Sequence, residues 1–547
     1  MKKLFLIPLF MFNLAASSQI LAATYYVAVD GNDLNPGTIT QPWGTWQKAF
    51  DTAVAGDTVY FRGGVWYPAD HTEGNFITII KNSGTKNNRI YFLNYPGEHP
   101  ILDCSLVDTV GNDYNSGMFI DEKHFINFRG LTIRNIYQPH SRQLAAGIGA
   151  WASSNLHFEN ITLHDIGGRG FSYMGATGFF GVEYDSTYWI NCDVYNCIDS
   201  LSEVPGNGGD GWKMDQEDST YFYLYGCRSW NNSDDGFDIS GSATLIFDNC
   251  WAFNMQFPGA LDANGFKFGG VRDSLTEPPR IVRNCISAFN NGSGFYDLEY
   301  EPYYRNNSRV YNNTIYKCGT GIGISRNSLY PDTSLSVYRN NIVYEPLEID
   351  AGGRPYNLAV FDYYTESHNT WDYGEPGSLP RWVPTDSVTV TDDDFVSLDG
   401  SQLTLPRKED GSLPDIDFLK LSPNSDLIDA GTFVGLPFNG SSPDIGAFEF
   451  DAATAVADDN LLASTKLSLY PNPTNSMVNI EYVSEQQNRI TISVFNILGQ
   501  IVKTEEHNVT VGKSNQIKLT LPLSSGIYII QVNDGVKSFV GSVVNLK

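Results

Sequence analysis

Basic residues are scarce in this chain of 547 residues. It has 35 lysines and arginines against 62 aspartates and glutamates, which gives a formal net charge of −27 at pH 7. Proteins that bind nucleic acid or anionic membrane surfaces usually carry the opposite balance, so we expect neither partner. The same charge opposes an anionic polysaccharide unless cations in the binding cleft offset it. Because 41% of the residues are hydrophobic, the chain is too apolar to be disordered as a whole.

Long apolar runs are also rare, and the one at the N-terminus is short. Two lysines at positions 2 and 3 precede LFLIPLFMF, and small residues follow in NLAASSQILAA. This pattern is typical of a secretory signal peptide, so we assign residues 1–23 to one. A membrane anchor is disfavoured because polar residues interrupt and follow the run. The sequence thus predicts a secreted or cell-surface attached protein with no membrane span, which we expect to be a monomer.

Amphipathic runs long enough for a crossover helix are missing, which argues against a layered α/β fold. A short amphipathic helix is predicted at about residues 46–55, where it would cap one end of the fold. The remaining pattern is of short β-rich runs broken by Asn, Gly, Ser and Asp. The sequence therefore predicts an all-β protein.

A repeat runs through the centre of the chain. A Gly-aromatic step recurs at Gly211, Gly236, Gly265 and Gly294, at separations of 25, 29 and 29 residues. A second phrase, YGCRSW, DNCWAF and RNCISAF, keeps the same phase within each unit. A period of this length indicates a stacked solenoid. With short strands and no helices in the repeat, the solenoid is a parallel β-helix.

Cysteines and asparagines recur with the repeat. Cys192, Cys227, Cys250 and Cys285 share one position and are predicted to stack inside the coil as small hydrophobes, with a disulfide between neighbours left open. A turn position is assigned to Gly130, Asn160, Asn191, Gly226, Asn249, Asn284, Asn313 and Asn341. Inward asparagines at such a position would form a hydrogen-bonded ladder.

The Gly-aromatic step also aligns charged residues. Equivalent positions of successive coils stack about 4.8 Å apart, so Lys213, Asp238, Lys267 and Tyr296 fall in one outward column. Asp210 and Asp235 immediately precede their glycines, Asp234 precedes Asp235, and these carboxylates converge at the junction of two coils. Uncompensated, such a cluster would be destabilising. The candidate ligands are hard oxygens with no His or Cys among them, which favours Ca²⁺.

These motifs resemble the pectate lyases of polysaccharide lyase family nine. The matching residues are Asp210 in a DG step, DDGFD at positions 234–238 and NGFK at positions 264–267. The resemblance implies a right-handed parallel β-helix over residues 24–450. It also implies Asp210, Asp234, Asp235 and Asp238 as calcium ligands and Lys267 as the catalytic base. Lys213 departs from the family pattern, because a second basic residue in the column is not expected there.

Further residues of the types that bind uronic acids follow the column. Arginine pairs with carboxylates and tyrosine stacks on sugar rings. We assign substrate binding to Lys213, Arg272, Tyr296, Tyr304, Arg305 and Arg326. Any one of the later residues is more often ordinary surface than a substrate contact.

The C-terminal part forms a separate unit. Residues 451–465 are a polar, Ala-rich linker, and residues 466–547 contain the alternating strands of a small β-sandwich. Their phrases YPNPT, FNILGQ and SSGIYI, with the terminal Lys547, resemble the type A C-terminal sorting domain of Bacteroidetes type IX secretion. The resemblance implies the type IX secretion machinery as a partner.

Three functions fit these observations. The first is a calcium-dependent lyase that cleaves polygalacturonate, an acidic plant-type polysaccharide, by β-elimination with a lysine base. Rhamnogalacturonan or another uronate glycan is the alternative substrate. The second function is a glycoside hydrolase with paired aspartates, and the third is a non-catalytic glycan-binding β-helix. The lysine in register with the aspartates favours the lyase, since calcium ligands cannot supply the protonated acid of a hydrolase.

Overall fold

A computed structural model gives the three-dimensional structure. It describes residues 22–108, 114–139, 144–174, 186–216, 221–241, 244–259, 262–269, 271–272, 280–298, 304–305, 307–324, 336–348, 358–360, 365–371, 389–451, 467–470, 474, 476–483, 488–496, 501–521, 526–533 and 538–545. The predicted signal peptide (apart from its last two residues) and linker (apart from Asp451) lie outside these ranges. No described helix has the length and apolar character needed to cross a membrane.

Three long parallel sheets form the main domain, because each coil contributes a strand to each sheet. The predicted parallel β-helix is confirmed. Sheet A has 12 strands: Thr24–Val27, Thr58–Phe61, Ile90–Asn94, His124–Arg129, Ser154–Glu159, Ser186–Ile190, Tyr221–Tyr225, Thr244–Asp248, Arg280–Arg283, Ser308–Tyr311, Val337–Arg339 and Thr365–Ser367.

In the described residues, sheets B and C have ten strands each. Sheet B contains Phe76–Ile80, Asn115–Asp121, Ala145–Trp151, Gly168–Met174, Trp212–Gln216, Phe237–Gly241, Phe266–Gly269, Ser293–Leu298, Thr320–Ile324 and Leu358–Val360. Sheet C contains Gly64–Trp66, Pro100–Asp103, Thr132–Ile136, Thr162–Ile166, Asp193–Cys197, Arg228–Trp230, Trp251–Phe253, Ile286–Ala288, Thr314–Tyr316 and Ile342–Tyr344.

The N-terminal end of the β-helix is covered by the predicted helix, which spans Trp46–Thr52. It begins where the Thr45 side chain accepts a hydrogen bond from Lys48 N. Trp46 and Phe50 are buried, and the Trp46 ring lies 4.7 Å from Phe61 in the first complete coil. The helix thus closes the apolar interior that an uncapped solenoid would expose to water.

The interior consists of stacked side chains from equivalent positions. Phe92, Phe128, Phe158 and Trp189 stack on successive coils with ring centroids 5.6, 5.2 and 5.7 Å apart. Cys192, Cys227, Cys250 and Cys285 are fully buried in a second stack, as predicted. All seven cysteines are free thiols, so the disulfide left open between neighbours does not form among the described residues.

The predicted turn position was wrong by one residue in the last two coils, where it was assigned to Asn313 and Asn341. Asn312 and Asn340, with φ of 52° and 57°, occupy the left-handed turn position of Asn160 and Asn191. Asn313 and Asn341 instead continue the cysteine stack, and with Asn369 they form a buried ladder with Nδ2-to-Oδ1 distances of 2.8 and 2.9 Å. The earlier asparagines are therefore turn residues, since asparagine tolerates positive φ, and within the described residues this buried ladder occurs only in the final coils.

Residues 389–451 run back along the outside of the β-helix and include the 3₁₀ helices Asp392–Asp394 and Gly400–Thr404. Phe395, Leu403 and Phe418 pack with Trp251 and Phe253 of sheet C. Polar anchoring accompanies this packing. Arg407 and Arg228 both donate to the carboxylate of Asp193, at 2.6–3.0 Å. The segment therefore covers sheet C and leaves the outer face of sheet B to the site.

The C-terminal module is a small β-sandwich, as predicted. One antiparallel sheet contains Ser468–Tyr470, Met477–Val483 and Ser514–Thr520, and the other contains Ile501–Asn508, Arg489–Asn496, Gly526–Asn533 and Ser538–Asn545. Alternate residues such as Ile480 and Ile492 meet in one core between the sheets.

The main domain also contains a shorter antiparallel pair, in which Val271–Arg272 pairs with Tyr304–Arg305.

Candidate active site

The predicted outward column exists on sheet B. Lys213 is in register with Asp238, Asp238 with Lys267, and Lys267 with Tyr296. The residue before each faces the interior, where Trp212, Phe237 and Phe266 stack at 4.6 and 4.8 Å. Because side chains alternate along a strand, burial of these rings directs the charged residues outward.

Glycines allow the coils to approach closely just before this column. A Cβ on Gly211 would lie 2.5 Å from Gly236 O, and one on Gly236 would lie 2.6 Å from Gly265 O. No side chain fits at these positions. The recurring glycine therefore holds the aspartates that precede it against one another.

Three carboxylates converge at this point. One oxygen from each of Asp210, Asp234 and Asp235 lies within 4.8 Å of the others, and all three residues are buried. Among the described residues, Asp210 Oδ1 and Asp234 Oδ1 have no hydrogen-bond partner, whereas the Lys267 ammonium lies 3.1 Å from Asp235 Oδ2. Buried oxygens left without donors cost free energy, so a positively charged ligand beside Asp210 and Asp234 would stabilise the group.

The pKa values reflect this crowding. Burial and the Asp238 carboxylate raise the pKa of Asp210 to about 6. Burial, followed by Asp210 and Asp235, raises the pKa of Asp234 to about 10. Burial raises the pKa of Asp235 to about 7, although Lys267 opposes the shift. Each shift has the sign expected for like charges held together in a dry site.

Local hydrogen bonds fix the two adjacent aspartates. Asp235 Oδ1 accepts from the backbone N and from Nδ2 of Asn264, at 2.8 and 2.9 Å. The backbone N of Asp234 donates to Gly209 O at 3.2 Å. The Ser233 hydroxyl also accepts from Asp199 N at 3.0 Å, which joins the turn to the loop that leads to Asp210. These bonds bring residues from three successive coils to one point.

The two lysines flank Asp238 but differ in their other contacts. Lys213 Nζ donates to Asp238 Oδ2. Lys267 Nζ lies 3.5 Å from the same oxygen, 3.1 Å from Asp235 Oδ2 and 3.0 Å from Asp262 Oδ2. Burial alone would lower the pKa of Lys267, but these carboxylates outweigh it and raise the pKa well above its usual value. Asp238 and Asp210 likewise raise the pKa of Lys213 against the effect of burial.

The donor set fits a hard divalent cation. Its atoms are carboxylate oxygens, and neither histidine nor cysteine belongs to the described group. Calcium binds such oxygens in flexible geometry, whereas zinc usually takes nitrogen or sulfur ligands. Asp238, also predicted as a ligand, lies outside the three-residue group and contacts the two lysines instead. The cation and its ligands remain a prediction.

The structure places only some of the predicted substrate-binding residues beside the column. Tyr296 is partly exposed and lies next to Lys267 in the column. Arg272, Tyr304 and Arg305 belong to the short antiparallel pair, where the backbone of Arg272 opposes that of Tyr304. Their side chains, and the whole of Arg326, lie outside the described part of the structure.

Two residues near the cluster were not predicted. Asp262 contacts Lys267 and keeps 42% of its side chain exposed. Arg169 Nε lies 3.7 Å from Asp210 Oδ2. Arg169 was detectable in the sequence, because it precedes the Gly-aromatic step Gly170-Phe171 as Asp210 precedes Gly211. The 41-residue interval between those glycines, much longer than the later ones, obscured this equivalence.

Two family models match the chain. Residues 25–328 match the family described as "Pel9A-like, right handed beta helix region", and residues 468–545 match "Secretion system C-terminal sorting domain". Pectate lyase L of Dickeya chrysanthemi is 30% identical over 442 residues, which cover 78% of this chain and 90% of that protein.

Two solved structures are also similar. Pectate lyase Pel9A has 25% identity and a TM-score of 0.58, and the match covers 78% of this chain and 96% of Pel9A. A rhamnogalacturonan lyase has 23% identity and a TM-score of 0.52, and the match covers 74% of this chain and 97% of that lyase. The second likeness concerns the fold alone.

Proposed function

Because the chain belongs to the Pel9A-like right-handed β-helix family and is a polysaccharide lyase, we propose that it cleaves polygalacturonate by calcium-dependent β-elimination. Lys267 is the base in this proposal, and Asp210, Asp234, Asp235 and Asp238 are the calcium ligands. The name of the relative from Dickeya chrysanthemi supports pectate as the substrate.

One observation carries the proposal. Lys267 Nζ lies 3.1 Å from Asp235 Oδ2, and two buried oxygens of the same carboxylate group, Asp210 Oδ1 and Asp234 Oδ1, have no hydrogen-bond partner among the described residues. The carboxylate group that we propose as the calcium site therefore adjoins an amine on the outer face of sheet B. A substrate bound at the one would present its reacting carbon to the other.

β-Elimination on a uronate requires a base and stabilisation of negative charge. A bound calcium ion would coordinate the uronate carboxylate and make the C5 proton more acidic. Neutral Lys267 Nζ would accept that proton. The C5–H electron pair would then form the C4–C5 double bond as the C4–O bond breaks, and the departing oxygen would take a proton from water.

The charged neighbours of Lys267 control its protonation and position, and Lys213 would bind the substrate. Lys267 must be neutral to act, and its three carboxylate neighbours oppose this until their charge is offset. Asp262, on the exposed side, limits the positions open to the amine. Lys213, whose pKa Asp238 and Asp210 raise despite burial, would remain charged and bind a substrate carboxylate.

The hydrolase alternative fits the geometry less well. An inverting glycosidase separates its two carboxyl groups by about 6.5–9.5 Å to admit a water molecule. Here one oxygen from each of the three aspartates lies within 4.8 Å of the others. A purely structural metal would leave the buried contacts of Lys267 without a role.

A substrate panel tests the proposal. The protein would be incubated with polygalacturonate, methylated pectin, rhamnogalacturonan and alginate, with and without a calcium chelator. We expect ultraviolet absorbance from unsaturated ends, greatest on polygalacturonate, which chelation abolishes and added calcium restores. New reducing ends without absorbance would indicate hydrolysis and refute the proposal. Full activity in chelator would refute the role of calcium.

The protein is secreted or attached to the cell surface, as its C-terminal sorting domain indicates. We further propose that the type IX secretion machinery is its export partner. In this arrangement the β-helix, as residues 24–450, acts outside the cell on an extracellular glycan.

A further inference from the structure

Arg169 lies beside the carboxylate group but has no role in the proposed reaction. It lies in the strand Gly168–Met174, one coil before the strand that follows Asp210. The backbone confirms this register, since Gly170 N donates to Asp210 O at 3.0 Å and Phe171 opposes Trp212. Arg169 therefore stacks on Asp210, at the edge of the carboxylate group.

The guanidinium of Arg169 is poorly satisfied. Its Nε lies 3.7 Å from Asp210 Oδ2, farther than the 2.7–2.9 Å usual for a charged hydrogen bond. That Nε is buried and has no hydrogen-bond partner among the described residues. The side chain nevertheless keeps 22% of its surface exposed. Because arginine stays charged and has five N–H donors, this arrangement suits an acceptor that arrives from solvent.

Two hydroxyl groups border the same place. Ser172 is the register partner of Lys213, so it continues the site column by one coil. The Tyr114 hydroxyl interacts with Ser172 and Ser116 and with the charge of Arg169. It lies over the column position of Gly149, where a Cβ would be 3.3 Å from it. The partly exposed Arg169, the buried Ser172 hydroxyl and the half-buried Tyr114 thus lie together immediately before the carboxylate group.

We propose that Arg169, with Ser172 and Tyr114, binds the carboxylate of the sugar next to the one held at the cation site. The inference rests on the proposed lyase function. Successive coils are about 4.8 Å apart, which is close to the length of one sugar unit in a glycan. A chain lying along the column therefore presents consecutive sugars to consecutive coils.

This assignment makes Arg169 a determinant of substrate class. Polygalacturonate carries a carboxylate on every sugar, so one is available to Arg169 whenever another occupies the cation site. The rhamnogalacturonan backbone alternates uronate with uncharged rhamnose, so its neighbouring sugar has no carboxylate. A buried charge that gains no partner disfavours that substrate. The site should therefore select runs of contiguous uronates.

Three variants test the inference: Arg169→Gln, Arg169→Lys and the control Arg134→Gln. Arg134 is also an outward arginine paired with an aspartate, but it lies on sheet C. Kinetics would be measured on polygalacturonate and rhamnogalacturonan over a series of calcium concentrations up to saturation. Calcium binding without substrate would be measured by calorimetry.

For Arg169→Gln we expect KM on polygalacturonate to rise about 10-fold or more, as for loss of a charged hydrogen bond, with a smaller change in kcat. Arg169→Lys should recover part of the loss, because it keeps the charge but not the forked donors. Arg134→Gln should match the wild type. Calcium affinity of Arg169→Gln should be unchanged or tighter, since a positive charge beside Asp210 is removed.

The inference is overturned if KM of Arg169→Gln stays within about twofold of the wild type, well below the effect of a charged hydrogen bond. It is also overturned if calcium binds more weakly and excess calcium restores the rate, because Arg169 would then merely position Asp210. Absence of unsaturated product from the wild type would refute the proposed function separately. Calorimetry with trigalacturonate would still test the role of Arg169 in that case. The inference requires that Arg169→Gln bind trigalacturonate more weakly than the wild type does.

Discussion

Lys267 and Asp238 occupy the same register on neighbouring coils of sheet B, and their Nζ and Oδ2 atoms lie 3.5 Å apart. The same Asp238 oxygen accepts a hydrogen bond from Lys213 on the opposite side. The two lysines are therefore alike in charge and in this contact. They differ because Lys267 also reaches Asp235 and Asp262.

Substitution of the two lysines should separate their roles. Lys267→Ala should reduce kcat on polygalacturonate by roughly 10²–10⁴-fold, as for loss of a general base. Lys213→Ala should mainly raise KM, with turnover retained at saturating substrate. Steady-state absorbance assays measure both effects. Calcium calorimetry checks that each variant keeps its cation site.

The reverse result would reassign the base. If Lys213→Ala abolished turnover while Lys267→Ala only raised KM, then Lys213 would remove the proton. Both amines reach the same carboxylate, so either result is chemically sensible. The contact of Lys267 with Asp235 is the reason to expect the first.

Asp234→Asn should change the response of the protein to calcium. Burial, with Asp210 and Asp235, holds the pKa of Asp234 near 10, so this carboxyl costs free energy that an amide avoids. We expect the variant to have a higher melting temperature than the wild type in chelator. Calcium at 100 times Kd should stabilise the wild type by about 2.7 kcal/mol and the variant by much less.

Asp103→Asn is the matched control for Asp234→Asn. Asp103 is buried but accepts hydrogen bonds from Arg134 and Asn135, so its loss should lower the melting temperature and leave the calcium response intact. A calcium response that survives in Asp234→Asn would exclude Asp234 as a ligand.

The column could be predicted from sequence because one local signal fixes it. Gly211, Gly236 and Gly265 each precede an inward aromatic ring, and inward and outward residues alternate strictly along a strand. Once the glycine is aligned, the outward position of Lys213 or Lys267 follows. Distances between side chains cannot be predicted in this way, because they depend on how closely the coils stack.

The asparagine phase was not predictable by the same means. Asn312 and Asn313 are adjacent, and either can be aligned with the turn residue Asn284. The structure decides between them, since Asn312 adopts φ 52° and Asn313 is fully buried. Arg169 was missed for a related reason, because an irregular interval separates its coil from that of Asp210.

Removal of residues 466–547 should leave a folded and active lyase. The core of the C-terminal module is formed by its own strands, with residues such as Ile480 and Ile530, so its deletion exposes none of the β-helix interior. We expect kcat and KM of the recombinant truncated protein to match those of the full chain. In the native host, export should fail. Loss of solubility or turnover in the recombinant protein would show that the two units depend on each other.

His157 should make the fold sensitive to acid. It is buried on the outer face of sheet A, where burial, followed by Arg89 and Arg129, lowers its pKa from about 6.5 to about 3. The unfolded chain therefore takes up a proton that the folded chain refuses. Stability from this residue is complete above pH 6.5 and is lost as pH falls toward 3.

His157→Phe, whose ring can pack against Tyr188 as the imidazole does, should flatten the decline in unfolding free energy over that interval. Chemical denaturation at several pH values measures the slope, with the exposed His99→Phe as the control. An unchanged slope in His157→Phe would mean that other groups cause the acid sensitivity.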